Sequence, residues 1–311
     1  MSNTPLGDHD AQLRAVIFAQ LAEWTMIHGD VLPRDLFLQG IQFMGRQVRL
    51  IDTGGKGIWK PSGMDKPISV YSSHRSPYDD HFEGSLLHYS YQGADPNLAT
   101  NRSLREAMRT QAPLLYIHAV VPNQYLPVWP VFAVADDPSR LRFTLQAEVG
   151  SLKIGGASIT SSLGAESFVC EDARREYGTQ LLKTRLHQRG FRERVLAAYQ
   201  TYCAMCHLRH RELLDAAHIL ADADGGQPVV PNGLSLCKIH HAAFDACVIG
   251  IQPEDYRVVV RQDILEEVDG PMLRHGIQDM EGSQLRIPRS KKLRPDQELL
   301  AVRFEQFLAA G

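Results

Sequence analysis

Two short pairs of soft metal ligands stand in the last third of the chain: Cys203-Ala-Met-Cys206 and, 31 residues beyond Cys206, Cys237-Lys-Ile-His240. Donors three positions apart can face one ion, and two such pairs supply the four ligands of tetrahedral zinc. With every position taken by protein the site is structural, and its metal adds folding free energy to a subdomain with little core of its own. The alternative is a set of buried free thiols; the matching second pair argues against it. Cys170 and Cys247 have no partner spacing and read as packing residues. Five cysteines, three of them in a ligand pattern, disfavour a disulfide framework and point to a reducing, cytoplasmic setting. Around these pairs lie His218 in Asp215-Ala216-Ala217-His218-Ile219, Asn232 in Pro231-Asn232-Gly233-Leu234, and His241 in His240-His241-Ala-Ala-Phe244-Asp245.

Over residues 200–250 this arrangement resembles the HNH nucleases in which two Cys/His pairs bracket the active site. The resemblance implies a ββα-metal fold with His218 on the first strand, Asn232 in the connecting loop and His241 on the helix. Phosphodiester hydrolysis needs a base to activate water and a cation to stabilise the charge that develops on phosphate and leaving oxygen. By resemblance His218 is the base, and neutral imidazole suits that task near physiological pH. His241 would ligate Mg²⁺ or Mn²⁺, and Asn232 would hold the loop and the base or help at the metal. Many relatives carry an acidic metal ligand directly before the base, where this chain has Ala217; Asp215 or Asp245 is left to complete the site.

A second cluster lies nearer the amino terminus. Gly57-Ile-Trp59-Lys-Pro61 is followed by Pro77-Tyr78-Asp79-Asp80-His81, then by Leu87-His88-Tyr89-Ser90-Tyr91-Gln92-Gly93 and Asn101-Arg102. Over roughly 30–150 this order resembles an SRA domain, the PUA-like module that reads modified cytosine. A base must leave the stack before its 5-substituent and Watson–Crick edge are read together, and the pocket needs aromatic faces and an acceptor for the exocyclic amine. The resemblance implies that Tyr78 and Tyr91, with Tyr89 as competitor for Tyr91, enclose the base. Asp79 or Asp80 would accept from the amine, and Trp59 belongs to the same set of aromatics. Read structurally instead, Tyr89 and Tyr91 share one strand face and the Asp pair makes a turn.

These residues need elements to position them. Leu13, Ile17, Leu21 and Trp24 predict an opening helix that stops at His28-Gly29-Asp30. Short runs at Val48–Ile51, Ile68–Tyr71, Leu86–Tyr91, Leu114–Val121, Val128–Val134 and Leu141–Val149, separated by turn residues, predict a mostly antiparallel sheet, with a helix over Asn101–Gln111. Ser151–Gly164 reads as a linker or exposed loop. A helix over 171–200 follows, and within 183–211 stand Lys183, Arg185, Arg189, Arg192, Arg194, Arg209 and Arg211, either a phosphate-binding face or a solvated one. The basic segment Arg286-Ile-Pro-Arg289-Ser-Lys291-Lys292-Leu-Arg294 precedes a last helix with Leu300, Phe304, Phe307 and Leu308 on one face.

The expected architecture is α+β. An SRA/PUA-like twisted, barrel-like sheet with flanking helices spans 1–160, a linker and basic helix 161–199, a ββα-metal HNH domain with structural zinc 200–285, and a basic segment and helix 286–311. The 311 residues, 44% hydrophobic and 22% charged, are a globular mix that excludes wholesale disorder. No apolar run reaches a membrane span, and the first ten residues show no secretory leader. Lys and Arg total 33 against 36 Asp and Glu, a net charge of −3, so any nucleic-acid contact must come from local patches. The expected activity is a modification-dependent endonuclease acting on double-stranded DNA that carries 5-methyl- or 5-hydroxymethylcytosine. One HNH centre cuts one strand, so a homodimer is expected for a double-strand cut. The rivals are an HNH nuclease directed by phosphorothioate or by plain sequence, and a non-catalytic zinc-stapled DNA reader.

Overall fold

The structure is a computed structural model of the chain and describes residues 6–72, 81–83, 86–147, 153–154, 157–158 and 171–311. The chain divides into two compact units, Met1–Leu186 and His187–Gly311.

The first unit opens with α1 (Leu6–His28), which buries Leu13, Ile17 and Leu21 along one face at four-residue spacing. Gly29 follows at φ +82°, its N–H bonded to Thr25 O at 3.1 Å, a left-handed position that glycine takes without steric cost. Buried Arg14 fixes the helix to two loop carbonyls, Pro113 O at 2.6 Å and Pro67 O at 2.9 Å. Then come β1 (Leu32–Pro33), α2 (Arg34–Gln39), β2 (Ile41–Phe43), β3 (Arg46–Val48), β4 (Ile58–Trp59), β5 (Ser69–Tyr71), β6 (His81–Glu83), β7 (Leu86–Ser90), α3 (Ala99–Arg109), β8 (Leu114–Val121), β9 (Gln124–Asp137), β10 (Arg142–Ala147), β11 (Lys153–Ile154) and β12 (Ala157–Ser158).

The main sheet runs β4-β5-β8-β9-β10-β7-β6 and curls into a half-barrel. Its spine is β9: β8 lines one edge, while β10, β11 and β1 follow one another along the other. Among the described pairs on that path, β5 with β8 is parallel and the rest are antiparallel. In β8, Leu114 and Tyr116 enter one core with Leu104 of α3, while Leu115, Ile117 and Ala119 enter a second with Leu13 and Leu21 of α1. A sheet covered on both faces reads as a near-continuous apolar run, and Leu114–Val121 is one, interrupted by His118. Part of the expected Ser151–Gly164 linker is instead β11 and β12, where β9 still offers an unpaired edge; the rest of that span, and Cys170, lie outside the described residues. Of Val48–Ile51 only Val48 is in a strand: Leu50 and Ile51 are buried loop residues, with Leu50 N–H on Phe37 O at 2.9 Å. Burial rather than pairing accounts for that run.

The expected base-pocket residues are described only in part. Tyr78, Asp79 and Asp80 lie outside the described residues. Tyr89 and Tyr91 both sit in the core beside α3. The Tyr91 ring packs 4.7 Å from that of Phe143. Its hydroxyl donates to Asp136, and Arg105 reaches both groups, with Nε 2.6 Å from Asp136 Oδ2 and Nη2 3.2 Å from the Tyr91 hydroxyl. Burial, with Asp136 beside it, pushes that hydroxyl above its ordinary pKa. Tyr91 is 1% exposed, so contrary to expectation it offers no open ring face in this structure. The Tyr89 hydroxyl donates to Tyr71 O at 3.2 Å, and half-buried Trp59 donates its indole N–H to Arg49 O at 2.8 Å.

Helix α4 (Glu171–Ala198) crosses the division between the units, and the second unit continues with β13 (Leu214–His218), β14 (Gly233–Cys237), α5 (Lys238–Asp245), β15 (Ile249–Ile251), β16 (Val258–Val260), α6 (Gln262–Glu266), α7 (Pro271–Gly276) and α8 (Gln297–Ala310). β13 and β14 pair antiparallel, with Leu214 opposite Cys237 and His218 opposite Gly233, and α5 follows at once. The Asp296 carboxylate caps α8, accepting from Glu298 N–H at 2.9 Å and Leu299 N–H at 3.2 Å. Leu300 and Phe307 are buried, and Phe307 presses on β15 where a Cβ at Gly250 would lie 2.6 Å from the ring. Leu308, expected on the same face, is exposed: one residue turns about 100° round a helix, and the buried stripe is narrower than that.

The interior role of Tyr91 gives a stability test. Tyr91→Ala should cost about 3–5 kcal/mol by cavity formation. Tyr91→Phe should cost about 0.5–1.5 kcal/mol by loss of the hydroxyl between Asp136 and Arg105. Urea denaturation measures both, and near-equal losses would show that the ring is not packed.

Candidate metal and catalytic centre

Cys237 is the last residue of β14 and the N-cap of α5, so the strand delivers its sulfur directly to the first helical turn. His240 lies in that turn, and the loop after α4 carries Cys203 and Cys206. One ligand atom from each of these four residues falls within 4.8 Å of the other three. Tetrahedral zinc with Zn–S bonds of about 2.3 Å implies sulfurs about 3.8 Å apart. Cys206 Sγ and Cys237 Sγ are 3.9 Å apart, and His240 Nδ1 is 3.5 Å from Cys203 Sγ and 3.1 Å from Cys237 Sγ. His240 Nε2 lies 2.8 Å from Gly276 O, and donation there leaves Nδ1 as a lone pair facing the sulfurs. These donors fit a structural metal such as zinc.

His241 follows His240 by one residue, which rotates it about 100° round α5. His240 is buried on the cysteine side, whereas His241 is half-buried toward β13. Its two nitrogens meet different acids: Nδ1 lies 3.6 Å from Asp215 Oδ2, and Nε2 lies 3.3 Å from Asp245 Oδ2, one turn on. Asp215 already holds two cations, Lys238 through Oδ2 and Arg192 Nε at 3.6 Å from Oδ1. Burial alone would raise the Asp215 pKa, but Lys238, Arg192 and His241 together hold it below the usual carboxylate range.

His218 ends β13. Its ring stacks on Phe191 of α4 at 4.1 Å and 13°. Room for Phe191 comes from Gly233 across the ladder, where a Cβ would stand 2.5 Å from Val195 Cγ2 and 2.8 Å from Phe191 Cζ. His218 Nε2 is buried without a hydrogen-bond partner among the described residues; the nearest carboxylate, Asp222 Oδ1, is 3.4 Å away. Burial pushes the imidazole below its ordinary pKa and His241 adds to this, against the opposing pull of Asp222 and Asp245.

Asn232 is fully buried, and its side chain bonds to the loop. Its Oδ1 accepts from Leu220 N–H at 2.9 Å, and its amide donates to Leu220 O at 3.0 Å and Gln227 O at 2.9 Å. Its own carbonyl accepts from Ile219 N–H at 3.0 Å, so the residue closes the loop that begins directly after His218. Gly226 leaves the space, since a Cβ there would lie 2.8 Å from the Asn232 amide nitrogen.

Sequence reading missed Phe191 and Glu193. The signal for Phe191 was the spacing Phe191, Val195, Tyr199, submerged among the arginines of that helix. Nor do all those arginines face solvent: Arg192 donates to Arg211 O at 3.1 Å and Leu214 O at 2.8 Å, and Arg194 to Pro228 O at 3.0 Å. Buried Glu193 accepts from Arg192 at 2.9 Å and from Arg211. Arg192 and Arg194 therefore brace β13 and its loop. Cys247 is half-buried, with φ +54°.

Residues 203–252 match the family described as HNH endonuclease. No curated protein matches the chain. Among solved structures, a modification-dependent TagI restriction endonuclease is 15% identical, with 78% of this chain and 82% of that chain covered and a TM-score of 0.30. The Type IV phosphorothioation-dependent restriction endonuclease ScoMcrA is 16% identical, with 56% of this chain and 48% of that chain covered and a TM-score of 0.19. The family match over 203–252 identifies that stretch as an HNH endonuclease domain and the chain as carrying a nuclease centre.

The cysteine cluster generates a direct test. Prolonged chelation, or Cys203→Ser, should remove a tightly held metal ion and lower the melting temperature of the second unit. Elemental analysis paired with calorimetry reads both; a metal-free protein with unchanged melting would sink the assignment.

Proposed function

We propose that this chain is a metal-dependent DNA endonuclease, with zinc held by Cys203, Cys206, Cys237 and His240 and chemistry performed by His218, His241 and Asp245. The observation that carries the reading is the His218 imidazole, held neutral by burial and stacking, with Nε2 buried, without a hydrogen bond among the described residues, facing Asp222 Oδ1 at 3.4 Å and within the field of His241 and Asp245. In this role Nε2 takes the proton of the attacking water as its oxygen bonds to phosphorus, while the strand oxygen on the opposite side leaves. Mg²⁺ or Mn²⁺, when bound, stabilises the charge that builds on the phosphate and the leaving oxygen.

His241 Nε2 and Asp245 make the better cation site. Asp215 faces the other ring nitrogen and is already neutralised by Lys238 and Arg192, so it orients His241 through Nδ1. Asn232 holds the loop after the base.

We extend the reading to DNA carrying 5-methyl- or 5-hydroxymethylcytosine on the sequence order of residues 57–102 alone. With Tyr89 and Tyr91 committed to the core, recognition in this reading falls to Tyr78, Asp79 and Asp80. A homodimer would bring two centres to opposite strands.

His218→Ala should lower cleavage about 10²–10⁴-fold while duplex binding persists. Because the folded-state pKa of His218 lies below its ordinary 6.5, the active neutral form fills as pH rises through that lowered value. Cleavage should hold level across neutral pH and fall only in acid below 6.5; a base limb above 7 would assign the proton transfer elsewhere. Matched methylated, hydroxymethylated and plain duplexes test the cytosine reading, and equal cleavage of all three would remove it. Asp245→Asn should abolish calorimetric Mn²⁺ binding, whereas Asp215→Asn should weaken it only about tenfold.

A further inference from the structure

The segment 286–294 carries Arg286, Arg289, Lys291, Lys292 and Arg294 with no acidic residue among them, in a chain whose net charge is −3. It is not a loose tail. At its start Arg286 N–H donates to Ala204 O at 2.8 Å, between the two cysteines of the first pair. The Arg286 guanidinium lies 4.0 Å from the centre of the Tyr202 ring and donates to Gln200 Oε1 at 2.8 Å. At its end Tyr256 donates to Pro295 O at 3.2 Å, and Asp296 N–H donates to Pro231 O at 2.9 Å. Within it Pro288 is buried, and the short 3₁₀ turn Lys291–Leu293 packs on the turn Val230–Asn232. The strap therefore runs from the metal knuckle to the loop that Asn232 closes behind His218.

Arg289, Lys291 and Lys292 are exposed and have no carboxylate partner among the described residues. Two arginines of α4 in this unit differ: Arg192 pairs with Glu193, and Arg194 donates to the Pro228 carbonyl. Exposed cations without partners, on a backbone tied to the loop that follows His218, fit a row of phosphates, because each neutralised phosphate releases condensed counterions.

We propose that the strap 286–294 is the phosphate-backbone clamp of the nuclease unit, with Arg289, Lys291 and Lys292 contacting double-stranded DNA and Arg286, stacked on Tyr202, anchoring the strap. The proposal rests on the DNA-cleaving reading above. The contacts are to phosphate, so they set affinity without reading sequence.

The test uses the full chain and a labelled duplex of about 30 base pairs, with binding followed by fluorescence anisotropy across a salt series in the His218→Ala background. Replacing Arg289, Lys291 and Lys292 together by Ala should lower the slope of log K against log salt by about 2–3, since each phosphate contact contributes about 0.9. Arg274→Ala, an exposed arginine outside the strap, should leave the slope unchanged. With His218 restored, the triple variant should raise KM and keep kcat at saturating DNA, and a Lys291→Arg/Lys292→Arg variant should bind as the parent does. A parent that binds with normal salt dependence and a triple variant with the same slope would overturn the clamp alone. A parent that shows no salt-dependent duplex binding would overturn the DNA reading and the clamp with it.

Discussion

Three sulfurs and one imidazole brought within bonding reach of a common point form the constraint on which the nuclease unit depends. Without a cation that arrangement is unfavourable: thiolates repel, and burial raises the cost of every charge. With one, it joins the Cys203–Cys206 loop, the end of β14 and the first turn of α5 in a unit whose two-stranded ladder is only five residues long. Cys237 does this most economically, because it is at once strand end, helix cap and ligand. Its position sets the rotation of α5, and that rotation aims His241 at β13.

The proposed catalytic centre then follows from small steps along regular elements. One residue along α5 separates His240, in the cysteine cluster, from His241, proposed for the catalytic cation. The acid that many relatives carry before the base has no room here: Ala217 is wholly buried, opposite Leu234 in the apolar core, where a carboxylate would be desolvated. Acids instead approach His241 from two residues earlier in β13, through Asp215, and from one turn along α5, through Asp245. His218 has its charge suppressed by the ring of Phe191, which itself fits only because position 233 has no side chain.

The first unit is held by different means. Its sheet is buried on both faces, with α1 over one and α3 over the other, so its aromatics are drawn inward as packing material. Tyr91 shows the consequence: a residue type suited to stacking on a base instead packs, tilted, against Phe143 and satisfies its hydroxyl with Asp136 and Arg105.

The metal pairs were legible in the sequence because fixed ligand spacings carry them, whereas the ββα arrangement around His218, Asn232 and His241 was legible only through the resemblance to HNH nucleases. Several strands and both terminal helices were legible through periodicity. Other features depended on contacts between distant positions. That Arg192 and Arg194 brace rather than face solvent, that Phe191 covers His218, that Leu50 and Ile51 fill a core without pairing, and that Tyr91 turns inward could be decided only once remote segments met. Local order along the chain determined which groups could do chemistry; long-range packing decided which faces they present and how charged they are, because burial and neighbouring charge are properties of the folded surroundings and not of any residue's place in the chain.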